Sequence, residues 1–148
     1  MTLSKKDREL LRMKFGGKCA YCGCELAKGW HADHLQPVER EWWKAKSWWR
    51  KSYGTEQAGL TYPERDVLEN LMPACRACNL DKHASSLESW RRQLEDRVNV
   101  CRRNYSAFRH AERFGLVKQV ENRVIFWFEK CGGVTLPAER AAQEQEGK

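Results

Sequence analysis

The sequence contains no long apolar run. Its longest stretch of consecutive hydrophobic residues is Val124–Phe128, far short of the roughly 20 residues a helix needs to cross a bilayer. No membrane association is expected. The opening segment, MTLSKKDRELLRMK, is charged throughout and lacks the apolar core of a secretory signal, which points to a cytoplasmic chain. There is no internal repeat and no low-complexity block. The segment WWKAKSWWRK, Trp42 to Lys51, lacks acids altogether while holding four tryptophans and four cations. Over the whole chain 27 Lys and Arg face 20 Asp and Glu, a net charge of +7. That balance favours polyanionic partners, nucleic acid first. With 148 residues the chain fits a single domain.

Seven cysteines in a reducing compartment argue for metal binding over a disulfide framework. Cys19 and Cys22 form one CxxC pair, and Cys75 and Cys78 form a second. Two such pairs supply four thiolates, the closed tetrahedral shell of a structural zinc. The second pair falls where a helix begins, and a helix N-terminus favours thiolate over thiol. The 52 residues between the pairs exceed what a compact zinc module needs, so a functional segment is expected to hang from the metal clip. Cys24, Cys101 and Cys131 have no partner at ligand spacing and read as small apolar filler, with Cys24 a competitor for the place of Cys22.

Local patterns give a coarse organisation. Ser4 followed by Asp7 reads as the cap of a short helical leader over residues 1–17, closed by Gly16-Gly17. WHADHLQPV reads as a strand ended by Pro37. From Ser86, the residues Leu87, Trp90, Leu94, Val98, Cys101, Tyr105 and Phe108 recur every three or four positions, the stripe of one long helix stopped by Gly115. LVKQVENRVIFWFE reads as a β-hairpin turning near Glu121-Asn122. Residues 138–148 read as a frayed polar tail.

Between and just after the cysteine pairs lie His31, Asp33, His34, Asn79, Lys82 and His83. Asn79 and His83, four apart, share one helix face, whereas the adjacent Asp33 and His34 diverge on a strand. In-line phosphodiester hydrolysis needs a base on one side of phosphorus and a cation on the other. A neutral imidazole can take a proton from water near neutral pH, and Asp33 with Asn79 offers hard oxygen ligands suited to magnesium.

CAYC, HADHLQP, ENL and CRACNLDKH, in that order, closely resemble the HNH endonucleases. The resemblance covers about residues 18–83. It implies an α+β fold with a ββα-metal core over 18–85 stapled by zinc, interrupted by an insertion at 38–69 and followed by a helix-plus-hairpin extension at 86–137. It implies metal-dependent cleavage of DNA with magnesium or manganese, by a monomer or a homodimer, and a phage or mobile-element setting in a bacterial cell. Carried over by motif, His34 is the general base, Asp33 and Asn79 are metal ligands, Asn70 braces the loop between the strands, and Lys82 contacts phosphate. His83 is either a metal ligand or phosphate contact or an exposed helix residue, and His31 is either structural or a member of the active site. Asn79 stands where the family often has histidine. The connection from Pro37 to Asn70 is longer than usual there; if it is helical, Trp42, Lys46, Trp49 and Tyr53 share one face. Its cations Lys44, Lys46, Arg50 and Lys51 are expected to meet DNA phosphates, while some of its tryptophans anchor it on the core. Two rival readings remain: a zinc module that binds nucleic acid without cutting it, and a structure-specific nuclease for branched DNA.

Overall fold

A computed structural model of the chain describes residues 2–42, 57–120 and 122–132. The first helix, α1 (Lys5–Met13), starts where the sequence marks it: the Ser4 hydroxyl accepts a hydrogen bond from the Asp7 N–H at 3.1 Å, satisfying one of the orphan donors of the first turn. Gly16 and Gly17 then adopt positive φ, a conformation glycine takes without a Cβ penalty, and turn the chain into the first cysteine knuckle. Arg8 ties α1 down by stacking 4.2 Å over the Trp30 ring and donating to the Trp30 carbonyl.

Two short antiparallel strands form the centre. β1 (His31–His34) pairs with β4 (Leu71–Ala74), His31 opposite Ala74 and His34 opposite Leu71. Every residue of β4 is buried, because α1 lies against it and the knuckle donates the Ala20 N–H to the Pro73 carbonyl. A seven-residue helix, α2 (Arg76–Lys82), follows at once with Cys75 as its cap. The two ends of the long connection are themselves joined. β2 (Arg40–Trp42) pairs antiparallel with β3 (Gln57–Leu60), with a register irregularity between Glu41 and Trp42. Trp42 thus belongs to a strand, so the face it would share with Lys46, Trp49 and Tyr53 on a helix does not include it.

The C-terminal third departs from the expected single helix and hairpin. In place of one helix there are three: α3 (Leu87–Glu95), α4 (Arg97–Asn104) and α5 (Ser106–Arg113). The first break falls at Asp96, whose carboxylate accepts from Asn99 and Arg103, and the second at Tyr105, which is extended. The apolar stripe continues across both breaks, but only Leu87 and Trp90 at its start are buried, while Tyr105 is exposed. A stripe without a surface to cover does not hold a helix straight. α4 and α5 instead fold on one another through the Arg102–Glu112 fork, with bonds of 3.0 and 2.6 Å. Gly115 does close the last turn at positive φ.

Among the described residues, 116–126 form no strand, so the expected hairpin is absent there. The backbone partner of this segment is the cysteine knuckle: Trp127 N–H donates to the Tyr21 carbonyl and Phe128 N–H to that of Ala20. A four-residue helix, α6 (Trp127–Lys130), begins there. Phe126 and Phe128 enter the core beside Tyr21 and Trp90, with Trp90 and Phe126 stacked 5.1 Å apart. Arg91 fastens them. Its buried guanidinium lies 4.5 Å over the Phe126 ring, pairs with Glu129 at 2.5 Å and donates to the Val124 carbonyl. The chain is thus an α+β protein. No helix among the described residues is long and apolar enough to cross a membrane.

Candidate functional site

The knuckle that runs from Lys18 to Glu25 is a tight loop. Lys18 and Glu25 bridge its base, the Cys19 N–H donates to the Cys24 carbonyl at 2.7 Å, and Gly23 sits at positive φ against Trp127, where a Cβ would approach the indole to 2.7 Å. This loop delivers three cysteines, and the start of α2 delivers two more. The sulfurs of Cys19, Cys22, Cys24 and Cys75 all lie within 4.8 Å of one another. Cys78 borders the group, its N–H donating to the Cys75 sulfur at 3.4 Å. The Cys22 and Cys75 sulfurs stand 3.8 Å apart, which matches the edge of a tetrahedron with zinc–sulfur bonds of about 2.3 Å. The cluster therefore fits a structural metal such as zinc.

Two points about the cluster differ from the sequence reading. Cys24, taken there for filler, brings its sulfur into the group, because the knuckle curls back after Gly23. The four mutually close sulfurs therefore include Cys24 and not Cys78, which the sequence reading had as a zinc ligand and which stands at the border of the group. The Cys19 thiol is pulled down to about 4, chiefly by a hydrogen bond with Cys78 and further by backbone N–H groups of the two knuckles, against the opposing effect of burial. The Cys78 thiol is pushed up, first by that same bond to Cys19 and then by burial.

At the other end of β1 and α2 lies a cleft of about 400 Å³ lined by Asp33, His34, Glu39, Asn79 and His83 together with Pro37, Val38, Leu80 and Ala84. Strand and helix each contribute one pair. Asp33 and His34 are adjacent on β1, and Asn79 and His83 are one helical turn apart at the end of α2. His83 lies just past the last helical residue at φ 50, its N–H still bonded to the Asn79 carbonyl. Among the described residues only Glu39 and His83 are non-glycines with positive φ, and both line this cleft. Backbone strain of this kind, of order 1–3 kcal/mol per residue, gathers where a site is over-determined by its surroundings.

The side chains around the cleft are held from behind. Asp33 is buried, and its Oδ2 accepts both from the Tyr21 hydroxyl and, at 2.9 Å, from the Lys82 ammonium. Burial and the Asp33 charge raise the Tyr21 hydroxyl well above its ordinary range, so it stays a donor. Lys82 is fully buried, and its ammonium also donates to the His34 carbonyl at 2.7 Å. The sequence reading put Lys82 on phosphate. The structure turns it inward instead, because a carboxylate and a carbonyl of β1 lie on that side of α2 and a buried ammonium needs such partners. His34 is half-buried, with Nε2 2.9 Å from Asp66 Oδ1. Asn70 accepts from the Gln36 N–H and donates to the carbonyls of Gln36 and Arg65, all within 2.9 Å. These three bonds join the exit of β1 to the chain entering β4. His31, half-buried opposite Ala74, is not among the residues lining the cleft.

Lys44, Lys46, Arg50 and Lys51, the cations expected to meet DNA, lie outside the described residues, as does the tail 138–148. Three residues that matter to the geometry carry no motif of their own: Tyr21 inside the first CxxC, Cys24 after it, and Asp66 at the end of the turn Pro63–Arg65. The first two had a signal in their closeness to Cys22. Asp66 had none, since its partner is 32 residues away. No family model matches the chain, and no curated protein or solved structure matches it either.

Proposed function

We propose that the chain is a metal-dependent endonuclease of the HNH type that hydrolyses DNA phosphodiester bonds, its fold clipped by a structural zinc in the cysteine cluster. The observation that carries this reading is the convergence of Asp33, His34, Asn79 and His83 on one cleft from two elements. An imidazole, a carboxylate and a carboxamide oxygen in one strained cleft are the groups that a hydrolysis of phosphodiesters requires.

His34, with Nε2 occupied by Asp66, presents Nδ1 as the nitrogen that takes the proton of the attacking water. Asp33 has Oδ2 committed to Tyr21 and Lys82, which leaves Oδ1 as its ligand oxygen, and Asn79 adds a second oxygen donor. Hard oxygen donors fit magnesium or manganese, with His83 at the rim as a further donor. A divalent ion bound there would polarise the phosphate and stabilise the leaving oxygen. The work of Lys82 is to fix Asp33 in place, and Asn70 holds the loop that carries Asp66. DNA is the partner. The cations Lys44, Lys46, Arg50 and Lys51 contribute to its binding, so replacing all four by Gln is expected to flatten the log–log salt dependence by up to about 3.6.

The test is incubation of the purified protein with supercoiled plasmid, with and without magnesium or manganese. Nicked or linear product is expected with metal only, and His34→Ala is expected to lose about 10²- to 10⁴-fold in rate with DNA binding and zinc content unchanged. Excess manganese should partly restore Asp33→Ala and Asn79→Ala but not His34→Ala, whose missing proton acceptor no ion replaces. Binding without cutting under every metal would replace this reading with that of a non-cleaving nucleic-acid module. Inactive His31→Ala beside active, folded His34→Ala would move the base to the other histidine.

A further inference from the structure

What holds Asp66 against His34 lies in the loop that carries it. Asp66 lies far along the chain from the cleft motif, yet its Oδ1 is 2.9 Å from His34 Nε2, with both side chains largely covered. An ionised carboxylate can only accept. The hydrogen of a neutral His34 therefore belongs on Nε2, and the lone pair on Nδ1. Left to itself a neutral imidazole exchanges between two tautomers, and the contact with Asp66 selects the one whose acceptor is Nδ1.

The loop that carries Asp66 is built as a fixed mount. The Asp66 N–H closes the turn on the Pro63 carbonyl at 3.0 Å. One residue earlier, the Arg65 carbonyl accepts from Asn70 Nδ2 at 2.8 Å while the Arg65 guanidinium donates to the Pro37 carbonyl at 3.1 Å and stacks 3.8 Å over Tyr62. The Leu35 N–H donates to the Asn70 carbonyl at 2.8 Å. Asn70 and Arg65 thus tie the segment bearing Asp66 directly to the residues that follow His34 in the chain. The distance between the carboxylate and the imidazole is set by the backbone on both sides, as it is wherever a third group orients a catalytic base.

We propose that Asp66 is the positioning residue of the site: it selects the Nε2–H tautomer of His34, fixes the ring plane, and leaves Nδ1 as the proton acceptor. This rests on the reading of His34 as the base. It assigns Asn70 a second task as well, since the residue that braces the loop also sets where Asp66 stands.

The test separates the contact from the chemistry. Long-range ¹H–¹⁵N correlation spectra of the zinc-loaded full chain at pH 8 report the His34 tautomer directly. Wild type should show the Nε2–H form, Asp66→Ala a mixture of both forms, and Asp66→Glu mainly the Nε2–H form again. In plasmid nicking with magnesium, Asp66→Ala should lower kcat about 10- to 100-fold, a part of the full general-base contribution, with KM for DNA unchanged; Asp66→Glu should recover part of the loss. A wild-type Nδ1–H tautomer overturns the proposal whatever the activity. So does an Asp66→Ala variant that nicks at the wild-type kcat. A wild type that holds the Nε2–H tautomer and cuts nothing refutes the endonuclease reading, and with it the catalytic role of Asp66, while leaving the contact standing.

Discussion

Helix α2 begins in one site and ends in the other, and its two ends are built on different terms. At its start, Cys75 and Cys78 join sulfurs from a loop whose own residues fix their positions through tight local hydrogen bonds. At its end, Lys82 and His83 depend on partners brought from afar: Asp33 on β1, and the strained turn at His83. About 10 Å of helix separates the two, at 1.5 Å per residue. The comparison teaches that each knuckle of the cysteine end is a local structure which a short sequence can specify by itself, the two meeting only on folding, whereas every part of the cleft end exists only once β1, β4 and the loop before β4 have assembled.

That contrast can be broken most severely at the metal end. Replacing Cys19 and Cys75 together by Ser removes one sulfur from each knuckle and leaves three, too few for a closed zinc shell. Because zinc supplies roughly 10–16 kcal/mol of folding free energy in small modules, the double variant is expected to lose its zinc and to melt without a cooperative transition, read by metal analysis and thermal circular dichroism. At the cleft end the largest single effect should come from Lys82→Met, which keeps the volume but leaves the buried Asp33 carboxylate without its cation. A loss of about 3–5 kcal/mol in urea denaturation is expected. The double variant Asp33→Asn with Lys82→Met should recover much of it, since removing both charges is far less damaging than removing one. Independent additive losses would show that the pair is not the connection described here.

The smallest expected effect sharpens the comparison from the other side. Cys78 stands beside the four mutually close sulfurs, so Cys24→Ser and Cys78→Ser should each retain one zinc per chain with little change in melting temperature, the remaining four sulfurs closing the shell. Removing both should release the ion. Elemental analysis of the three variants decides it, and a zinc-free Cys78→Ser single would show that Cys24 is not an alternative ligand.

How much could be read in advance follows the same division. The α1 cap, the glycine turn after it and the paired knuckles were legible because each is a relation among residues a few positions apart. The strand bearing Asp33 and His34, and the helix bearing Asn79, were legible through the spacing of their motifs. The inward turn of Lys82 was not, because a lysine at the end of an amphipathic helix looks the same whether its partner is solvent, phosphate or a buried carboxylate on another strand. Periodicity also misled over residues 86–108: an apolar stripe reports what a helix could bury, and here only its first turns find a surface. The segment expected as a hairpin has the alternation of a strand, but Trp127 and Phe128 pair their backbone N–H groups with the knuckle, which brings Phe126 and Phe128 into the core.

The small sheet formed by β2 and β3 closes the two ends of the long connection onto each other, Arg40 opposite Leu60. A stem of this kind insulates what it supports from what it carries. Changing the length or composition of residues 43–56 need not move Asp33, His34 or Asp66, because the pairing of β2 with β3 already fixes the two ends that the segment joins. On the reading proposed above, replacing that segment is expected to change DNA binding while leaving the cleavage rate of bound DNA unchanged.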